Sequence, residues 1–362
     1  MKNYSIKGIL FLVAMVLSGC SNEDFPTEKA EDAKAEQKEG PAFMKYAEDS
    51  DGPLFDLATL PNNDILVADA SLGITTINGN LLTSLPGITS IGVVGKGSLW
   101  ATTGPAGAAT EDSGQALYQV HNKRTEMVVN LFAFEEKNDP DGAGADSNPY
   151  SIMALNANKA LVVDSGGNDL LRVDNKGNIE VMAIFPTELV STQNIKDLSG
   201  CPGSGAPACN FPDMIPTEAV PTAVVVGPDG YYYVGELKGF PAPVGESNIW
   251  RISPDASGAM CGSTPDCAKA FDGGFTSIID MVFDKNGMLY VAEMDEKAWL
   301  GAELGLGVGG TINVCDPVTL QCQEVATGIP LLTAITIDKD GNLWATRNAL
   351  IPGIADIVQI PL

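Results

Sequence analysis

A recurring unit of short strands is the feature that most constrains the fold of this chain. Each unit has an apolar strand, a tight turn and a second strand that ends in a polar residue. The clearest copies are VPTAVVVGPDGYYYVGE at 220–236, SIIDMVFDKNGMLYVAE at 277–293 and LLTAITIDKDGNLWATR at 331–347. Their turns contain Asp-Gly or Asn-Gly, which tolerate the positive φ of a two-stranded hairpin. A third strand follows each copy, so the unit is larger than a hairpin.

Weaker copies of the unit lie upstream, at 55–69, 89–103 and 151–164. Six units with four-strand potential predict an all-β fold, a six-bladed β-propeller. A right-handed β-helix is the structural alternative, but its repeats are shorter and lack long, unequal loops. The last unit ends at Leu362 directly after its third strand. We therefore expect residues 42–46 to supply the missing outer strand, so that the two ends of the chain pair and close the ring.

The long connections of the predicted propeller fall on one face. In an up-and-down blade, the segments that enter the first strand and those that leave the second lie at the same end. We call this end the long-loop face. Because rigid scaffolds commonly carry function on such loops, we expect the binding surface there. Its loops are 104–114, 135–147, 186–219, 237–247, 294–309 and 348–355.

The N-terminus has the layout of an export signal. Lys2 and Lys7 precede an apolar run at 9–17 that is too short to span a bilayer. The run closes on Leu-Ser-Gly-Cys, which resembles the lipobox of bacterial lipoproteins. The sequence therefore predicts a signal peptide at 1–19 and lipidation of Cys20, although an ordinary signal with a chance cysteine gives the same pattern. Ser21, where that family uses Asp for inner-membrane retention, favours the outer membrane, facing the periplasm or the cell surface.

The segment after Cys20 is too polar to fold. Residues 21–40 contain seven acidic and three basic residues and one aromatic, so they cannot bury enough apolar surface. We interpret residues 20–40 as the lipidated cysteine with an acidic, disordered tether, and residues 41–362 as the propeller. The formal charge of −25 argues against nucleic acid as a partner, because phosphate binding needs clustered Lys and Arg. The expected partners are the membrane, through the anchor, and a protein or small molecule on the long-loop face.

Six further cysteines form three close pairs in the sequence. An oxidising compartment outside the cytoplasm would make these pairs local disulfides. A zinc site would need a C-x-x-C pair or nearby histidine ligands, and the sequence has neither. The pairs are Cys201 with Cys209, Cys261 with Cys267, and Cys315 with Cys322.

Several stretches resemble the ScyD/ScyE family, export-targeted propellers named for a cyanobacterial pigment gene cluster. The resemblance covers residues 145–362 well and the first two units only loosely. It implies a six-bladed propeller of the kind found in NHL-repeat and gluconolactonase-like proteins, and it implies no particular reaction. The matching stretches are DSNPYSIMAL at 146–155, VVDSGGNDLLRV at 162–173, VPTAVVVGPDG at 220–230, VGELKGFP at 234–241 and GFTSIIDMVF at 274–283.

Two equivalent positions recur in the units and carry polar side chains. The end of the second strand holds Asp69, Thr103, Asp164, Glu236, Glu293 and Arg347, and an early position in the first strand holds Asp56, Ser90, Ser151, Ala223, Asp280 and Ala334. If they converge near the axis, they suit a hard cation such as Ca²⁺. The alternative is that these carboxylates bind backbone groups at strand ends or pair with Arg347. The candidate metal ligands are Asp164, Glu236, Asp280, Glu293 and Asn148.

Further sequence features limit the kinds of catalytic, metal-binding and ligand-binding site that the chain can form. The only histidine, His121, follows a third strand away from the long-loop face, which argues against Ser-His-Asp and Cys-His catalysis and against His-ligated iron or copper. Residues 138–142 with Asp146 hint at a calcium loop but break the EF-hand spacing. Arg347 and Trp299 are candidate ligand contacts on the long-loop face.

Two functions remain open from the sequence. The first is a non-catalytic binding or scaffold lipoprotein that uses its long-loop face. The second is a metal-dependent hydrolase, lactonase or lyase, with an axial Ca²⁺-type ion and Glu236 or Glu293 as the base.

Overall fold

The structure is a computed structural model that describes residues 43–46, 52–95, 97–106 and 114–362. The predicted signal peptide, Cys20 and the tether lie outside these residues. Over the described ranges, six antiparallel sheets form blades, each running from an inner first strand to an outer fourth strand. The predicted six-bladed propeller is therefore confirmed.

The strands of the blades fall into four concentric layers. The first strands are β2 (Leu54–Thr59), β6 (Ile88–Gly95), β10 (Pro149–Asn156), β16 (Pro221–Val226), β21 (Ile278–Phe283) and β25 (Ile335–Ile337). The second strands are β3 (Ile65–Asp69), β7 (Ser98–Thr103), β11 (Lys159–Asp164), β17 (Tyr232–Glu236), β22 (Leu289–Glu293) and β26 (Leu343–Arg347). The third strands are β4 (Gly73–Thr76), β8 (Ala116–His121), β12 (Asp169–Asp174), β18 (Ser247–Ile252), β23 (Gly310–Asp316) and β27 (Asp356–Ile360). The fourth strands are β5 (Leu81–Ser84), β9 (Arg124–Asn130), β13 (Ile179–Ile184), β20 (Cys267–Phe275), β24 (Gln321–Ile329) and β1 (Phe43–Lys45).

The remaining elements are inserted between the blade strands. Strand β19 lies in the connection between the third and fourth strands of blade 4. It pairs in parallel with β13, the outer strand of blade 3, and so links the two blades. Among the described residues, no helix has the length and apolarity needed to cross a membrane. The inserted elements are α1 (Leu131–Asn138), the hairpin of β14 (Glu188–Ser191) with β15 (Met214–Thr217), α2 (Gln193–Leu198), a 3-10 turn at Pro207–Asn210, β19 (Ala259–Met260) and α3 (Ala298–Glu303).

The ring is closed by the two ends of the chain. Each first strand packs against the first strands of its two neighbours, including β25 against β2. Strand β1 pairs antiparallel with β27, with Met44 opposite Ile357, as the missing fourth strand of the last unit predicts. Just after β1, the Tyr46 hydroxyl donates a hydrogen bond to Asp69 Oδ2 at 3.1 Å. The N-terminal segment therefore belongs to blade 6 through its backbone and is bonded to blade 1 through a side chain.

The second strands are buried on both faces, because blades pack against blades. Strand β3 is buried at every residue, and continuous apolar runs are typical of such strands. Trp100 and Trp250 fill the space between blades, and the Trp100 indole N–H donates to the Asn156 carbonyl at 3.0 Å. Their placement in the core agrees with their positions in strands.

All three predicted disulfides are formed. Cys201 and Cys209 close a short loop between α2 and β15, and Cys261 and Cys267 lie at the outer edge of blade 4. Cys315 and Cys322 face each other across the outer hairpin of β23 and β24. The bridges therefore stabilise one loop and the outer strands of blades 4 and 5.

Candidate functional site

A β-bulge shapes the start of the first strand in five blades. The register shifts by one residue between Leu54 and Asp56, and equivalent shifts precede Ser90, Ser151, Ala223 and Asp280. A bulge re-aims the side chain that follows it. The residues after these bulges are those that the sequence aligns as the early first-strand position.

Side chains at this position bind the backbone of the next blade. Asp56 accepts the Ile91 N–H at 2.7 Å and the Ser90 hydroxyl at 2.6 Å. In the same way, Ser90 accepts the Ile152 N–H at 3.1 Å, and Ser151 accepts the Val224 N–H at 3.3 Å. Blades 1, 2 and 3 are therefore each bonded to the following blade at the axis.

The two alanines at this position are compensated by the two aspartates. The side chains of Ala223 in blade 4 and Ala334 in blade 6 cannot accept an N–H group from the next blade. Asp280, in the blade after Ala223, therefore accepts the Met281 N–H of its own strand at 2.8 Å. It also accepts the Ile335 N–H of blade 6 at 2.7 Å. Asp56 likewise accepts the Leu57 N–H in addition to that of Ile91. Four side chains thus satisfy six axial N–H groups, which we call the axial ring.

Burial and mutual repulsion alter the ionisation of the two axial aspartates. Burial raises the pKa of Asp56 to about 6. Burial and the negative charge of Asp56 raise the pKa of Asp280 well above its usual range. Burial, with a smaller contribution from the charges of the same two carboxyls, raises the pKa of the Tyr150 hydroxyl. The axis therefore carries weakly acidic groups whose oxygens already accept backbone N–H groups.

Asp164, at the end of β11, binds the loops around it. Its carboxylate accepts the Ser147 hydroxyl and the Asn148 N–H, each at 2.6 Å. It also accepts the N–H groups of Gly166 and Gly167 in the turn that leads to β12. These contacts fit the alternative interpretation, in which the strand-end carboxylates bind backbone groups.

Glu236, at the end of β17, lies in a buried ion-pair network. Lys238 Nζ is 2.9 Å from Glu236 Oε2 and 2.6 Å from Glu188 Oε2, and the Lys238 side chain is fully buried. The Asn248 side chain and the Trp250 indole N–H also donate to Glu236. Burial raises the pKa of Glu236, and the nearby Lys238 opposes that shift.

Glu293, at the end of β22, accepts the Thr276 N–H and the Asn313 side-chain amide, the latter at 2.5 Å. Burial raises its pKa to about 7.

Among the described residues, no three His, Cys, Asp or Glu side chains form a group arranged to hold a metal ion. The ligand set of Asp164, Glu236, Asp280, Glu293 and Asn148 therefore stays a prediction, and the first four bind separate local partners.

The two predicted ligand contacts lie in different surroundings. Arg347 pairs with Asp356 and lines a cavity of about 640 Å³, together with Asn348 and residues 325–330. Trp299 is 7% exposed, and its indole N–H donates to the Lys238 carbonyl at 2.8 Å. Its ring therefore packs beneath the surface of the long-loop face, and its contact with a ligand stays a prediction.

Glu135 and Asp169 are not predicted from the sequence, and their buried carboxylate oxygens have no hydrogen-bond partner. Glu135 lies in α1, inside a segment interpreted as a loop. Asp169 opens β12 and pairs directly with Asp164 across a tight turn. The available signal was this pair of acidic residues flanking one turn, because such flanking residues face each other in a hairpin.

Three long loops pack together into a continuous surface, which we call the loop cap (residues 186–219, 237–247 and 294–309). The Asn194 side-chain amide donates to the Ala242 carbonyl at 2.7 Å and to the Lys297 carbonyl at 3.2 Å. The rings of Phe211 and Phe240 meet edge to face at 5.9 Å. The loops of blades 3, 4 and 5 therefore form one ordered body.

Local turn chemistry folds the third loop of the cap. Asp295 accepts the N–H groups of Lys297 at 2.8 Å and Gly309 at 2.8 Å, and that of Val308 at 3.3 Å. An aspartate that binds nearby backbone in this way stabilises a compact loop. The two ends of the segment around α3 are thereby held together.

Comparison with solved structures shows the propeller fold. A gluconolactonase from Xanthomonas campestris matches 86% of this chain and 88% of its own, with a TM-score of 0.52 and 11% identity. A putative oxidoreductase (glucose dehydrogenase) from Thermus thermophilus matches 89% of this chain and 100% of its own, with a TM-score of 0.50 and 14% identity. Virginiamycin B lyase from Staphylococcus aureus matches 89% and 99%, with a TM-score of 0.49 and 13% identity. No protein-family model and no curated protein matches the sequence.

The axial ring makes a stability prediction. Asp56→Ala removes the acceptor of the Leu57 and Ile91 N–H groups, and unsatisfied buried donors are costly. We expect the free energy of unfolding to fall by about 2–4 kcal/mol, measured by denaturant titration. Asp56→Asn keeps an acceptor oxygen and should lose less. If Asp56→Ala were no more damaging than Asp255→Ala, at an exposed turn, the axial ring would not hold the blades.

Proposed function

We propose that this chain is a membrane-anchored binding protein that presents its loop cap to a protein partner. The observation that carries the proposal is a set of six large apolar side chains exposed on the three loops of the cap. Exposed apolar surface concentrated on one ordered face is typical of interaction sites. The six are Leu189, Met214, Val244, Leu304, Leu306 and Val308, each between 44% and 64% exposed.

The charge of the loop cap indicates the kind of partner. Its three segments contain eight acidic and three basic residues. One of the three, Lys238, is fully buried and neutralised by Glu188 and Glu236. A partner that matches this surface would bring apolar side chains to the centre and basic side chains to the rim. Such electrostatic complementarity raises the rate of association and rejects acidic competitors.

The contacts of the carboxylates favour binding over catalysis. Glu236, one of the two candidate bases, is paired with Lys238 and bonded to Asn248. A general base must be able to reach the proton that it removes. Because Glu236 is buried and already paired with Lys238 and Asn248, it is better suited to holding the loop cap in position than to accepting a proton from a substrate.

A metal-dependent hydrolase, lactonase or lyase remains the second candidate, because of Glu293. Its pKa of about 7 lies where a general base works best at neutral pH. Against this candidate, Glu293 is 8% exposed and binds Thr276 and Asn313. The gluconolactonase comparison supports only the shared fold.

Anchoring and family membership are also part of the proposal. The lipobox ending at Cys20 and the acidic segment at 21–40 support an outer-membrane lipoprotein whose propeller is held away from the bilayer. Several acyl chains would give lasting attachment, whereas one gives only marginal binding. The stretches at 146–173 and 220–241 support membership of the ScyD/ScyE family.

The anchor is tested by substitution of Cys20. Cys20→Ala should move the protein from the membrane fraction to the soluble fraction of lysed cells, because the lipid acceptor is lost. Mass spectrometry of the N-terminal peptide should show acyl chains on the natural protein only. Equal membrane attachment of Cys20→Ala would contradict lipidation at this residue.

The binding surface is tested by charged substitutions in the loop cap. Leu304→Asp combined with Leu306→Asp should weaken the partner complex at least tenfold, because apolar anchors at the centre of an interface each contribute more than about 1 kcal/mol. The measurement is cross-linking on living cells through the cap, followed by titration of the recovered partner against each variant.

Val318→Asp is the matched control for the cap variant. Val318 is 87% exposed and lies in the hairpin of β23 and β24, on the face opposite the cap. It should leave partner binding unchanged. A partner that binds the cap variant as tightly as the natural protein would contradict the proposed surface.

A further inference from the structure

A buried cluster of carboxylates, which we call the carboxylate pocket, lies between α1 and the turn from β11 to β12. Glu135 is 1% exposed and Asp169 is fully buried. All four of their carboxylate oxygens lack a hydrogen-bond partner. Asp164, which faces Asp169 across the turn, is by contrast fully engaged with Ser147, Asn148 and the turn backbone. Glu135 and Asp169 therefore differ from the other strand-end carboxylates.

The local fold forces Glu135 into this pocket. The side chain of Asn130 caps α1 by accepting the Ala133 N–H at 2.8 Å, which fixes the start of the helix. Leu131, Phe132 and Glu135 then form the buried side of the helix, since residues four apart share a face. At Gly167 a Cβ atom would lie only 2.7 Å from Glu135 Oε1. The absence of a side chain at Gly167 is what admits the carboxylate.

Further carboxylates surround the two unpartnered ones. Their charges act together with burial, which is the larger cause, to raise the pKa of Glu135 to about 8 and the pKa of Asp169 well above its usual range. In the described part of the chain, no Lys or Arg forms a salt bridge with any member of this group. The surrounding carboxylates are Asp139, Asp141, Asp146 and Asp164.

Buried carboxylates without partners are unfavourable in either protonation state. An ionised group loses its hydration, and a neutral acid leaves its hydroxyl donor unused. Proteins resolve such groups by pairing them or by binding a cation. Since no Lys or Arg of the described residues pairs with these carboxylates, a bound cation would supply the missing counter-charge.

We propose that Glu135 and Asp169 hold a Ca²⁺ ion and that the loop at 139–146 completes its oxygen shell. No three His, Cys, Asp or Glu side chains among the described residues form a metal-binding group, so the remaining ligands would be backbone carbonyls of the loop and water. Ca²⁺ accepts this mixture in irregular geometry, whereas Mg²⁺ demands a near-ideal octahedron. The site lies at the side of blade 3, away from the axial ring.

The loop is already positioned for this role. The Asn168 side-chain amide donates to Asp141 Oδ2 at 3.1 Å, which ties the loop to the turn before Asp169. Asp139 accepts the Gly144 N–H at 3.0 Å, and this bond folds the loop back on itself. A bound cation would therefore join α1, blade 3 and the loop of the long-loop face.

The test is calcium titration of the purified full chain after removal of divalent ions with EDTA. Calorimetry with CaCl₂ should show one binding event per chain, and Ca²⁺ should raise the melting temperature relative to EDTA. Glu135→Gln and Asp169→Asn should each weaken Ca²⁺ binding at least tenfold. Glu136→Gln, at an exposed position on the same helix, is the matched control and should bind Ca²⁺ normally.

Three results would overturn the proposal. The first is the absence of both binding heat and a melting shift in the natural chain. The second is unchanged affinity in Glu135→Gln and Asp169→Asn, and the third is an equal loss in Glu136→Gln. If the buried variants fail to fold, Asp141→Asn in the loop decides: a severalfold weaker Ca²⁺ affinity supports the site, and an unchanged affinity rejects it.

Discussion

The structure depends on hydrogen bonds that pass from one blade to the next around the axis. In a propeller, the inner edge of each first strand has no further strand to pair with, so its N–H groups need other acceptors. Here Asp56, Ser90, Ser151 and Asp280 provide them. Asp56 and Asp280 each accept two N–H groups, because the blade before each of them has alanine at the equivalent position. The ring is therefore fastened at its centre by side chains and at its rim by β1.

This constraint explains which parts of the fold the sequence predicts. Strands and turns recur in each unit, so their number and order follow from local pattern alone. The closure by β1 follows because the last unit lacks one strand. The role of Asp56 and Asp280 does not follow, because carboxylates aligned at one position suit a metal as well as a backbone acceptor. The contacts with Ile91 and Ile335 show the backbone-acceptor role, and metal binding by these carboxylates stays a prediction.

The local sequence pattern does not predict the carboxylate pocket, for a different reason. Helix α1 has eight residues, too few for periodicity to stand out from a loop. Glu135 and Asp169 are far apart in the sequence, and they meet only because α1 packs against the turn after β11. Likewise, the six exposed apolar residues of the loop cap are ordinary loop residues until three loops pack together. Both proposed binding sites are surfaces or clusters of this assembled kind, which the ring of blades holds in place.

Amide hydrogen exchange on the native chain tests whether the axial ring holds the blades together, since exchange reports the free energy of local opening. If the axial ring fastens the blades, its six N–H groups should exchange only when the whole propeller unfolds and should be among the slowest in the chain. Exchange of these amides as fast as that of the outer strand β9 would show that the axial ring does not hold the blades together. The six amides are those of Leu57, Ile91, Ile152, Val224, Met281 and Ile335.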